Sequence, residues 1–206
     1  MLKDIITRIV GNNDNPLRKG GKRNYVFIHI NKTGGTSIAE VIGLSKKKHL
    51  TVKQLVRLIN SNEWESAYKF AFVRNPWDKV VSHYKYRVKT NQCNMLNSPI
   101  GFNEWVECTY GNKKDYYYYD NPIMFQSQLD WLKNNEELID VDFIGKFERI
   151  VDDFKIVANN IGLENCDLPH LNKTKKVNYR DYYNDNTAGI IERHFKEDIM
   201  KFGYEY

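Results

Sequence analysis

The chain of 206 residues sets 31 Lys+Arg against 26 Asp+Glu, a formal net charge of +5, with 41% hydrophobic and 14% aromatic residues. That length and apolar content can bury a sizeable core and exclude a disordered chain, which needs low hydrophobicity and high net charge. No apolar stretch approaches the roughly 18 residues of a membrane span, and the mild charge argues against a nucleic-acid surface while suiting a small polyanionic ligand. Three cysteines, Cys93, Cys108 and Cys166, fit neither a disulfide framework nor zinc spacing. A soluble, cytoplasmic protein of one domain over residues 1–206 is the expectation.

In chain order, residues 1–10 place Leu2, Ile5, Ile6, Ile9 and Val10 at helical spacing, broken by Lys3, Asp4 and Arg8 and followed by no small-residue cleavage site. They read as a short helix, not a secretory signal. A basic loop with Arg18, Lys19, Lys22 and Arg23 completes residues 1–24. Residues 25–30 (YVFIHI) form a buried strand, which leads into Asn31-Lys32-Thr33-Gly34-Gly35-Thr36-Ser37 and a helix from about Ile38 to Gly43. Thr51 can cap a helix with Val52, Leu55, Val56 and Ile59 on one face. Residues 68–73 (YKFAFV) form a second strand, ending at Arg74-Asn75-Pro76, and Pro76 suits the first turn of a helix running to about Lys89. Its apolar face is Trp77, Val80, Val81, Tyr84 and Val88. Residues 91–125 are the least regular and carry the Tyr116–Tyr119 run.

A third strand over residues 142–147 precedes a helix whose stripe is Ile150, Val151, Phe154, Val157, Ala158 and Ile161, with Gly162 suited to its C-cap. A lysine-rich loop over residues 173–176 follows. A last helix from about Thr187 to Lys201 packs through Ile190, Ile191, Phe195 and Ile199. Strands alternating with helices mean an α/β fold with a mostly parallel sheet, whose ligands bind at the carboxyl ends of the strands.

Two of those strand ends carry chemistry. After the first strand, the turn through Gly34 and Gly35 can present backbone N–H groups at a helix start to an anion. Lys32 supplies charge, and Thr36 and Ser37 supply hydroxyls. The order differs from the Walker pattern, because Lys32 precedes the glycines. After the second strand, Arg74 can grip a phosphate with two parallel hydrogen bonds and Ser82 can add a third. Taken alone, Arg74 could equally be an arginine paired with Asp78.

The runs VFIHINKTGGTSI (26–38) and FAFVRNPWDKVVSHY (70–84) resemble the 5′-phosphosulfate and 3′-phosphate motifs of the sulfotransferases that use 3′-phosphoadenosine-5′-phosphosulfate (PAPS). The later runs DFIGKFERIVDDF, LPHLNKTKK and DIMKFGYEY are similar to the carbohydrate branch of that family. The resemblance extends from about residue 25 to the C-terminus and is weakest over residues 91–120. It implies a P-loop-like three-layer domain with a central, mostly parallel sheet flanked by helices. It implies PAPS as donor and 3′,5′-adenosine bisphosphate (PAP) as product, without a required metal. It further implies that Lys32 meets the 5′-phosphate and bridging oxygen, and that Thr33, Gly34, Gly35, Thr36 and Ser37 cradle the phosphosulfate. Arg74 and Ser82 would hold the 3′-phosphate, with Lys173 folding over the nucleotide. Asn31 departs from the proline usual in the family. The lack of an N-terminal membrane anchor departs from the Golgi enzymes and points to a bacterial or viral type.

In-line transfer of a sulfuryl group to a hydroxyl needs a base, and histidine titrates nearest neutrality. His49, before the Thr51 helix, matches the region where related sulfotransferases place a catalytic histidine. His170, beside the lysine loop, is the second candidate. His29 reads as a hydrogen-bonded core histidine, and His83 and His194 as packing or surface residues on helices. The acceptor implied is a hydroxyl of a saccharide, with residues 91–125 as its possible binding region. Two other classes remain open: a P-loop kinase, disfavoured by the lysine order and by the lack of an acidic strand end for Mg²⁺, and a non-catalytic nucleotide-binding domain.

Overall fold

The computed structural model describes residues 25–44, 49–164, 167–169 and 178–206. The expected first helix and basic loop over residues 1–24, His170 and the lysine loop with Lys173 lie outside the described residues. Among the described residues the chain runs β1 (Tyr25–Ile28), α1 (Gly35–Val41), α2 (Val52–Val56), α3 (Ser61–Ser66), β2 (Tyr68–Val73), α4 (Pro76–Lys89), α5 (Phe102–Tyr110), α6 (Gln128–Leu132), β3 (Phe143–Lys146), α7 (Ile150–Ile161), α8 (Asp185–His194) and α9 (Lys196–Phe202), with short 3₁₀ turns between them. They fall into two compact units, Met1–Val73 with Leu129–Lys173, and Arg74–Gln128 with Thr174–Tyr206.

The first unit holds a parallel three-stranded sheet in the order β1-β2-β3. Tyr25 to Ile28 pair with Tyr68 to Ala71, and Phe70 to Val73 with Phe143 to Lys146. Every residue of β1 and β2 is buried, as expected of parallel strands covered on both faces, which read as continuous apolar runs. The fold is thus the expected α/β one, a parallel sheet flanked by helices. Its core gathers Phe27, Phe70 and Phe72 from the strands, Ile38 and Ile42 from α1 and the residue after its end, and Phe154, Val157, Ala158 and Ile161 from α7. Val151 is the one residue of the expected α7 stripe that faces solvent, at 47% exposure. At about 100° per residue it sits at the rim of the arc centred on Phe154 and Ile161. Gly162, at φ 74°, ends the helix in the left-handed conformation. Thr51 caps α2 through a full capping box with Gln54. That helix is shorter than its apolar pattern implies, because a second helix, α3, starts at Ser61 under an Asn60 cap.

The second unit is helical. Asn75 Oδ1 accepts from the N–H groups of Trp77 and Asp78, and Pro76 occupies the first turn of α4, as expected. Trp77, Val80 and Val81 enter a core with Met95, Ile100, Phe102, Trp105, Val106, Tyr110, Phe125, Ile191 and Phe195. Residues 91–125 are therefore more ordered than their irregular sequence implied. Phe102, Trp105, Val106, Thr109 and Tyr110 are the buried residues of α5 and recur at helical spacing. The tyrosine run divides: Tyr116 is 81% exposed, whereas Tyr118 and Tyr119 pack against this core. The last helix also divides. Its backbone breaks at Phe195 (φ −104°, ψ 23°), giving α8 and α9, and Thr187 is the third residue of α8 under an Asn184 capping box.

Candidate functional site

β1 ends at Ile28, and the next three residues, His29, Ile30 and Asn31, stay buried. The chain then turns through Lys32 at φ 65° and Gly34 at φ 82°. A lysine in the left-handed region costs about 1–2 kcal/mol, the kind of strain that structures hold at functional turns. The Thr33 hydroxyl donates to the Ile30 carbonyl at 3.0 Å and is fully buried, so it braces the turn. Thr36 is exposed, and Lys32, Gly34 and Ser37 are half-buried. The Ser37 N–H donates to the Gly34 carbonyl at 3.1 Å, while the N–H groups of Gly35 and Thr36, in the first turn of α1, have no intrahelical acceptor. With α1 only 7 residues long, these main-chain donors and the Lys32 charge matter more than a helix dipole.

The two glycines are required from the protein side. A Cβ on Gly34 would lie 2.5 Å from Ile150 Cδ1, and a Cβ on Gly35 would lie 2.2–2.3 Å from the His29 ring. The imidazole of His29 fills the space that Gly35 leaves. It stacks on Phe27 at 5.3 Å between centroids and meets the ring of His49 at 4.3 Å. His49 Nδ1 is 2.8 Å from the main-chain carbonyl of His29. A carbonyl only accepts, so Nδ1 carries the proton and donates, and in the neutral ring the lone pair sits on Nε2. The ring of Trp131 also meets His49, T-shaped, at 6.2 Å between centroids. Burial first, then the neighbouring His49 and Lys32, pull the His29 pKa down to about 3, so this ring is neutral at physiological pH.

In the second unit, Arg74 follows the last residue of β2. The Arg74 side chain donates to Asp78 Oδ2 from Nε at 2.9 Å and from one terminal nitrogen at 2.8 Å. Asp78 and Ser82 are four apart on α4 and share its face, with Ser82 half-buried. The pairing of Arg74 with Asp78 that the sequence allowed is present. The guanidinium has five N–H donors, and these two contacts use two of them. The Arg74 main chain is held from both sides: its N–H donates to Gln128 Oε1 and its carbonyl accepts from Gln128 Nε2, each at 2.9 Å. Asp198 Oδ2 in turn accepts from the Gln128 N–H at 2.7 Å and from Gln128 Nε2 at 3.3 Å. Gln128 and Asp198 are both fully buried.

The structure thus joins the Lys32–Ser37 turn to His49 through His29 in one unit, and in the other places Arg74 just before α4 and Asp78 and Ser82 on it. His83 lies buried against Trp105 and Phe125, and His194 Nε2 is 2.9 Å from the Phe125 carbonyl, which suits the packing roles expected for both. The contacts of His29 with Gly35 and His49 go beyond the core role read for it. The clue was a lone histidine closing an apolar strand three residues before the turn. Trp131, Gln128 and Asp198 had no signal, since each contact spans a long stretch of chain. No group of three or more His, Cys, Asp or Glu among the described residues is placed to hold a metal ion. No helix among them is long and apolar enough to cross a membrane.

Residues 20–205 match the family model described as the sulfotransferase family. An uncharacterized protein of Archaeoglobus fulgidus is 36% identical over 112 residues, 54% of this chain and 81% of its own length. No solved structure matches the chain significantly. With the motif-bearing turns and the parallel sheet inside the matched span, the chain belongs to the sulfotransferase family, whose reaction is sulfuryl transfer.

Proposed function

We propose that this protein transfers the sulfuryl group of PAPS to a hydroxyl acceptor, a saccharide before a phenol, with His49 as general base. The observation that carries the reading is His49 itself. Its Nδ1–H is tied to the His29 carbonyl, which leaves Nε2 as the basic nitrogen, and its ring abuts the histidine seated against Gly35 of the Lys32–Ser37 turn. The other roles follow from residue chemistry and family membership. Lys32 and the main-chain N–H groups of Gly34, Gly35 and Thr36 receive the 5′-phosphosulfate, with the Thr36 and Ser37 hydroxyls beside them and Thr33 bracing the turn. Arg74 and Ser82 hold the 3′-phosphate, and Lys173 closes over the nucleotide. Residues 1–206 act as one sulfotransferase domain, and residues 91–125 carry the acceptor region.

In the transfer, His49 Nε2 takes the proton of the acceptor hydroxyl as the acceptor oxygen forms its bond to sulfur. The bond from sulfur to the bridging oxygen breaks, and its electron pair stays on the 5′-phosphate of the departing PAP. Lys32 stabilises that developing charge. A sulfuryl group carries less charge than a phosphoryl group, so this chemistry does not need the divalent metal of kinases.

Radiolabelled PAPS offered to a panel of saccharides, phenols and peptides tests the reading. The expected outcome is label on a saccharide hydroxyl, with a rate about 10²- to 10⁴-fold lower in His49→Ala and PAP binding kept. PAP binding with no transfer to any acceptor would overturn it in favour of a nucleotide-binding domain, and transfer from ATP would overturn it in favour of a kinase.

A further inference from the structure

We propose that His29 is a positioning residue that couples the donor turn to the base: its ring occupies the space left by Gly35, and its ring and carbonyl together fix where His49 sits and which of its nitrogens is basic. The inference rests on the reading of His49 as the base. Three observations point to it. A Cβ on Gly35 would come within 2.3 Å of His29 Nε2, so the turn and the ring cannot move independently. His29 and Phe27, two apart on the same side of the chain, belong to a column of rings: Phe70 against Phe27 at 5.0 Å, Phe27 against His29 at 5.3 Å, His29 against His49 at 4.3 Å, and His49 against Trp131 at 6.2 Å. The members at its two ends, Phe70 and Trp131, are fully buried. Close-packed interiors transmit small displacements because voids are costly.

The backbone of Gly35 is not left-handed, so Gly35→Ala tests the space that His29 occupies and not the turn conformation. The column makes a core histidine into a mechanical link. Displacing the ring on one side shifts the base on the other, and a shift of about 1 Å at a reacting group can lower a rate on the order of 10²-fold.

The experiment measures the full chain with PAPS as donor and water as acceptor, following release of labelled sulfate, together with the ¹⁵N signals of the His49 ring and the affinity for PAP. His29→Ala keeps the main-chain carbonyl that accepts from His49 Nδ1 but removes the ring packed against it. It is therefore expected to lower the turnover about 10- to 100-fold while PAP affinity changes less than about threefold, and to shift and broaden the His49 ring signals as that ring gains freedom. His29→Gln, whose planar amide can reach the same space, should recover part of both. Gly35→Ala should be as harmful as His29→Ala on its own and add less than about threefold to it, because the clash disappears with the ring. Wild-type turnover and unchanged His49 signals in His29→Ala would overturn the proposal, as would full additivity of the two substitutions. If His29→Ala unfolds, His29→Gln and Gly35→Ala carry the same comparison. Full turnover in His49→Ala would instead overturn the base assignment, and the His49 ring signals would still report whether the His29 ring sets its position.

Discussion

β1 and β2 are neighbouring parallel strands, yet the two chain segments that leave them are built on opposite plans. After β1 the chain bends at Lys32 and Gly34 with positive φ, and it packs by omission: Ile150 and the His29 ring lie where side chains of residues 34 and 35 would be. After β2 the chain enters α4 without left-handed residues, and Arg74 is held by addition, its main chain bracketed by Gln128 and its guanidinium paired with Asp78. The first plan is sensitive to a single added methyl. The second is sensitive to losing a hydrogen-bond partner. On the proposed function the first segment acts on the reacting group and the second on the anchoring phosphate, so substitutions in the two should separate turnover from binding.

The widest separation is expected between Lys32→Ala and Arg74→Ala. Removing Lys32 takes a charge from the developing oxyanion and should lower turnover about 10²- to 10³-fold. Removing Arg74 should weaken PAP binding about 10- to 100-fold, the worth of charge-assisted hydrogen bonds, with a smaller loss of turnover. Steady-state kinetics beside a PAP titration reads both, and equal losses of turnover and affinity in the two variants would break the contrast.

Acid stability sharpens the same comparison. His29 has its pKa lowered to about 3 by burial and by the facing His49 and Lys32, against about 6.5 for an unfolded histidine. The unfolded chain therefore binds the extra proton first. The stabilisation from a neutral His29 is fully present above pH about 6.5 and is lost as the pH falls toward 3, with a slope approaching about 1.4 kcal/mol per pH unit. Denaturant unfolding across that window should show a flatter dependence in His29→Gln, and an unchanged slope would contradict the burial argument. In the second unit, Gln128→Ala removes the side chain that brackets the Arg74 main chain and the longer of its two contacts to Asp198, while the residue 128 N–H still donates to Asp198 Oδ2. The expected loss is about 1–3 kcal/mol, readable in the same unfolding experiment. The smallest effect is expected at Thr51→Ala, where the capping box of α2 is worth about 1 kcal/mol. A loss far larger than that would mean Thr51 does more than cap.

Much of this was legible in the sequence wherever a local rule decided the outcome. The run YKFAFV is β2 over its full length, Pro76 opens α4, Thr51 caps α2 and Gly162 ends α7. Local rules failed where long-range contacts intervene. The break at Phe195 lies inside an apolar pattern that reads as one helix. Gln128 and Asp198 are 70 residues apart, and nothing in either segment announces the other. The glycines of the donor turn show the same limit differently. Sequence chemistry singled them out for close approach to phosphate oxygens, while the atoms that exclude a Cβ there belong to Ile150 and His29. His29 was visible as an odd residue in an apolar strand, but its meaning depended on His49 meeting it from 20 residues away.

The central claim, a site for a nucleotide bearing both a 5′-phosphosulfate and a 3′-phosphate, is tested most directly by calorimetric titration of the full chain with PAP and with ATP. The account expects PAP to bind in the micromolar range, about −8 kcal/mol, and ATP, which lacks the 3′-phosphate assigned to Arg74 and Ser82, at least about tenfold more weakly. Equal affinity for the two, or no binding of PAP, would contradict it.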